Sequence, residues 1–105
     1  MPSDTYTQYG YTARKFTGAE LKELGLNADT YYDEWEGAVV DCRVTTNSHG
    51  PAVAVTFEYD AKYWQVIIGF CHEDWDNNDL RGGRGNYEAC EVEPYPTTAY
   101  RRKRT

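Results

Sequence analysis

The chain has no apolar run near the ~18 residues that cross a bilayer as a helix, so no membrane-spanning helix is expected. Its opening residues, Met1-Pro2-Ser3-Asp4, carry neither a basic region nor an apolar stretch. No signal peptide is recognisable there, and a cytoplasmic protein is expected, in a host cell if the source is viral. Cysteine is scarce and odd in number: Cys42, Cys71 and Cys90, with no C-x-x-C pair. That pattern predicts free, packed thiols in a reducing compartment. Zinc held by these cysteines and His72 is disfavoured, because structural sites show close ligand pairs. Cys71 and His72 are also adjacent, which sends them to opposite faces of a strand.

Catalytic signatures are lacking too. Histidine occurs twice, His49 in turn-rich sequence and His72 at a strand end, and no cysteine sits in a nucleophile motif. There is no G-x-x-x-x-G-K-[ST] phosphate loop, and Gly82, Gly83 and Gly85 lack the strand-to-helix setting of a dinucleotide site. No enzyme activity, catalytic residue, metal or cofactor is expected.

Basic residues are few outside the end of the chain. Arg101, Arg102, Lys103 and Arg104 form a basic tail, and the rest of the chain carries 7 basic against 17 acidic side chains. An acidic body repels nucleic acid phosphates and attracts basic protein surfaces. The 105 residues fit one domain spanning 1–105, with flexible ends at 1–8 and 96–105.

What is present is a strand-rich pattern with one clear helix. Tyr9, Tyr11 and Ala13 alternate with polar neighbours, as in an edge strand or extended arm. Thr17-Gly18-Ala19-Glu20 is a capping box, Leu21 and Leu24 share a helical face, and Gly25 stops the helix. Residues 27–36 fit a second short helix capped by Asn27, with Tyr31 and Trp35 at i and i+4; Asp29 and Asp33 would repel at the same spacing. Strands follow at about 37–45, 52–59 and 63–71, joined by short turns, with a fourth at about 87–93. The third is the most apolar, with Trp64, Val66, Ile68 and Phe70 on one face and Ile67 and Cys71 on the other, which predicts a central position. Short connections favour antiparallel pairing. The expected fold is α+β: a single antiparallel sheet of four to five strands with one or two short helices packed on one face.

Residues 72–86 read as a long loop. Asp74, Asp76 and Asn78 match the first ligand positions of a calcium loop, but Asp79 stands where glycine is needed and Gly85 where glutamate is needed. Arg81-Gly82-Gly83-Arg84-Gly85 is a single arginine–glycine unit, for which turn glycines are the simpler account.

Ten tyrosines and three tryptophans exceed what one small core absorbs, and such residues favour interfaces. An exposed acidic–aromatic partner-binding face is therefore expected from Asp29, Tyr31, Tyr32, Asp33, Glu34, Trp35 and Glu36, joined by Glu73, Asp74, Trp75, Asp76 and Asp79. Carboxylates would steer the encounter, and Tyr and Trp would anchor it. In size, acidity and lack of catalytic motifs the chain resembles the small inhibitors of bacterial viruses and mobile elements. These include anti-CRISPR proteins and DNA-mimic antirestriction proteins. That resemblance, of composition alone, implies a non-enzymatic inhibitor bound to a basic, nucleic-acid-binding surface, with no membrane partner. Two alternatives stand beside it: a metal- or ligand-binding domain centred on the 72–86 loop, and a homo-oligomeric assembly subunit, such as a homodimer using the aromatic face.

Overall fold

The computed structural model describes residues 5–8, 10–27, 29–47, 50–71, 74–78, 80, 86–94 and 100–102. They form eight strands, one α-helix and one 3-10 turn. The strands are β1 (Thr5–Gln8), β2 (Tyr11–Thr17), β3 (Val39–Asn47), β4 (Gly50–Tyr59), β5 (Lys62–Cys71), β6 (Asp74–Asn78), β7 (Asn86–Pro94) and β8 (Tyr100–Arg102). Every pairing is antiparallel. Six strands run across the sheet in the order β1-β2-β7-β5-β4-β3, while β6 pairs with β5 and β8 with β7.

The α+β class and antiparallel sheet match the alternating pattern, but the strand count is higher than the four to five expected. Three short strands account for the difference. Tyr11–Thr17 folds back on Thr5–Gln8 through Gly10 at φ +81, making a hairpin of what read as one arm. Tyr100–Arg102 pairs with Val92–Pro94. Thus both segments expected to be flexible ends contain a strand. Within the expected 72–86 loop, Asp74–Asn78 is strand rather than loop and returns along β5. Such short polar strands show little alternation of their own and are completed by a neighbour's ladder.

The helix α1 (Gly18–Leu24) forms where its capping box predicts. Thr17 Oγ1 accepts from the Glu20 amide at 3.1 Å, and Glu20 Oε1 accepts from the Thr17 amide at 2.9 Å. Gly25 ends it at φ +115, with the Leu26 amide donating to the Leu21 carbonyl at 2.9 Å. This reversal drives both Leu21 and Leu26 into the core, where they meet Val53, Val55, Phe57, Trp64, Val66 and Ile68 from the sheet. Phe16 packs edge-on against Phe57, Tyr59 and Trp64, with ring centroids 5.1–5.9 Å apart. Burying such rings contributes a large part of the folding free energy of a small domain.

β5 lies inside the sheet, as its composition predicts, between β4 and β7, and its end also pairs with β6. The strand buried on both faces is β4, at residues 52–57. Its second face carries only Ala52, Ala54 and Thr56, small enough to be shielded by longer side chains on neighbouring strands. Gln65 Nε2 donates to Thr56 Oγ1 there at 3.2 Å.

Candidate functional site

After α1 the chain turns on Asn27. Its Oδ1 accepts from the Asp29 amide at 3.0 Å, and its carbonyl accepts from the Thr30 amide at 3.2 Å and from Trp35 Nε1 at 2.8 Å. Asn27 therefore shapes a local turn and does not cap a second α-helix. The helical element that follows is the 3-10 turn η1 (Tyr32–Glu34), closed by Glu34 N to Tyr31 O at 2.9 Å and Trp35 N to Tyr32 O at 3.3 Å. Tyr31 and Trp35 flank it in extended conformation and do not share a helical face.

The turn sorts its side chains by sign and polarity. Asp29, Asp33, Glu34 and Glu36 are exposed, Tyr31 is 48% exposed, and Tyr32 is half-buried with its ring 5.4 Å from that of Tyr31. Trp35 departs from the expected exposed face. It is only 8% exposed and belongs to the core cluster, because the indole both fills the space beside Leu26 and finds its hydrogen-bond acceptor inward. It anchors the turn to the protein instead of offering a surface to a partner.

Two open depressions border the turn. One, about 340 Å³, is lined by Tyr32, Asp33, Trp35, Val39, Val40, Asp41 and Cys42. The other, about 370 Å³, lies on the helix side and is lined by Lys22, Asn27, Glu34, Glu36 and their neighbours. In the first, Cys42 Sγ donates to the Tyr32 carbonyl at 3.5 Å. Burial, then the charges of Asp41 and Asp33, pushes the Cys42 thiol up to about 11. A thiol held protonated is the opposite of what a nucleophilic cysteine needs. Burial, followed by Tyr31 and Asp33, likewise raises the Tyr32 hydroxyl. Asp41 is paired with Arg43 at 3.0 Å.

The remaining expected site residues belong to the 73–79 segment. Glu73 and Asp79 lie outside the described residues, as do His49 and His72. Asp74, Trp75 and Asp76 lie on β6, paired along β5, whereas the sequence of a calcium loop requires a coil between two helices. Cys42 and Cys90 cannot share an ion. Cys42 pairs with Val55 on the core face, and Cys90 with Gln65 on the opposite face. Three strand spacings also separate them, roughly 14 Å.

One feature escaped the sequence reading. Strict alternation along 37–45 would put Ala38, Val40, Cys42 and Val44 on one face. A register shift between Val39 and Asp41 breaks that alternation, so Val39 packs on the core while Val40 is 47% exposed. Val44 stays in register with Val53 yet is 64% exposed, because β3 is the outermost strand of the sheet path.

No family model, no curated protein and no solved structure matches the chain.

Proposed function

We propose that the protein is a non-enzymatic binding protein that docks the acidic–aromatic turn of residues 29–36 on a basic surface of a protein partner. The observation that carries this reading is the arrangement of Asp29, Asp33, Glu34 and Glu36 in solvent around the exposed ring of Tyr31, on a backbone fastened by buried Trp35. Four carboxylates with one anchor ring suit steering and seating on Lys- and Arg-rich protein surface. A pre-formed turn also avoids ordering cost on binding. In its specific form the proposal is an inhibitor of a nucleic-acid-binding protein, of the anti-CRISPR or DNA-mimic kind, in which carboxylates occupy positions meant for phosphates. That form is supported by the acidity of the body and by the composition it shares in type with such inhibitors.

The test is capture of partners from extract of the native host, with and without nuclease and across a salt series. A nucleic-acid-binding protein should be retained after nuclease and released as salt rises. The Asp33→Lys/Glu34→Lys variant, both sites being exposed, should fold normally and lose that partner. Retention of the partner by this variant, undiminished at high salt, would overturn the reading.

A further inference from the structure

β3 is an outer strand whose far edge has no strand partner among the described residues. Such edges pair readily with another strand unless blocked. Along this edge the order Val40-Asp41-Cys42-Arg43-Val44 reads the same in chemistry from either end, with opposite charges exchanged. We propose that the partner at this edge is a second copy of the chain, joined β3 to β3 in antiparallel fashion about a two-fold axis through Cys42.

Geometry limits the registers. Directly opposed residues in an antiparallel pair lie on the same face of the sheet, so a two-fold axis between identical strands must pass through a residue and its own copy. Centring on Asp41 or on Arg43 opposes like charges, which destabilises a pair. Centring on Val44 sets Asp41 against Asn47 and Arg43 against Thr45, leaving both charges without a complement across the seam. Centring on Cys42 places Asp41 opposite Arg43 of the second copy, and Arg43 opposite its Asp41. The intrachain contact of 3.0 Å thereby extends into a four-charge array.

The same register brings Val44 of the second copy toward Val40, which the register shift takes out of the alternation of β3; both are large apolar side chains left exposed. Val44 is in register with core-facing Val53, so Val44 of the second copy approaches on the core side of the joined sheet. There it meets the depression of about 340 Å³, whose walls include Val39, Val40, Tyr32 and Cys42 together with the carboxylates of Asp33 and Asp41. Charge pairing on one face and a valine over a hollow walled by both valines and carboxylates on the other are reciprocal, as an isologous contact requires. The interface does not rest on the partner-binding reading, since its charge pairs use Asp41 and Arg43, outside residues 29–36, although Tyr32 and Asp33 help to wall the hollow that Val44 meets.

The experiment is the solution mass of the full chain by light scattering, with protein raised to about 1 mM so that even weak dimers are populated. Twice the 12.1 kDa of one chain is expected. Asp41→Arg puts Arg against Arg across the axis, and Arg43→Asp puts Asp against Asp. Each variant alone should weaken dimerisation at least tenfold. Mixed in equal amounts they should recover a heterodimer, because every Arg then faces an Asp, and the double variant D41R/R43D should dimerise by itself. Recovery on mixing also shows that neither single variant is merely unfolded. A native chain that stays at 12.1 kDa, single variants that dimerise like the native chain, or a mixture that stays monomeric would each overturn the proposal.

Discussion

Trp35 Nε1 donates to the carbonyl of Asn27 at 2.8 Å, tying the end of the acidic turn to its beginning. The bond closes the segment between Asn27 and Trp35, so the exposed carboxylates of Asp29, Asp33 and Glu34 are held by a residue that faces away from them.

Trp35→Phe keeps much of the buried area but leaves the Asn27 carbonyl without its indole donor. A loss of about 1–2 kcal/mol in urea unfolding is expected. Trp35→Ala adds a cavity beside Leu26, and about 3–5 kcal/mol should be lost. Equal stability of the two variants would show that the hydrogen bond and not the packing fastens the turn.

Gly25 joins the helix end to the same turn. A Cβ at this position would lie 1.9 Å from the Glu36 carbonyl oxygen, and φ is +115. Gly25→Ala must therefore push Glu36 away while also adopting a strained backbone. A loss of at least about 2 kcal/mol is expected, together with altered NMR shifts in residues 34–38. A near-neutral variant would show that helix end and turn are not in this contact.

The β4–β5 hairpin turns on Asp60 and Ala61, both with positive φ, at 54° and 60°. Paired Tyr59 and Lys62 make this a two-residue hairpin loop, in which the left-handed region suits glycine and is costly for alanine. Ala61→Gly should raise stability by about 0.5–1 kcal/mol, read as a higher Tm. The reverse sign would mean that the flexibility gained by the unfolded chain outweighs the strain relieved.

Cys42 and Tyr32 give the fold an alkaline limit. The folded thiol sits at about 11 against an ordinary 9.0, so the native state holds its proton more tightly than the unfolded chain does. This contribution is complete below pH 9. It declines as the pH rises toward 11, because the unfolded chain ionises first. The raised Tyr32 hydroxyl acts in the same direction at higher pH. Urea unfolding across pH 8–11 should show a decline that Cys42→Ala makes shallower, and an identical profile in the variant would remove Cys42 as the cause.

Much of this architecture is legible in the chain itself, because its determinants are near neighbours. Thr17 and Glu20 cap a helix from three residues apart. The alternation of Val53, Val55 and Phe57 against Trp64, Val66 and Ile68 sets two strands and their core faces. The acidic residues of the 29–36 segment have nowhere to go but water. Tertiary structure decided the rest. Trp35 and Tyr31 are both aromatic residues beside carboxylates, and only the position of Leu26 and the Asn27 carbonyl selects which one is buried. The exposure of Val44 depends on β3 being last in the sheet, and that of Val40 on a register shift against Phe57 and Thr56. Sequence periodicity reports which residues can face a core, whereas the neighbours that supply or withhold that core are brought together only by the fold.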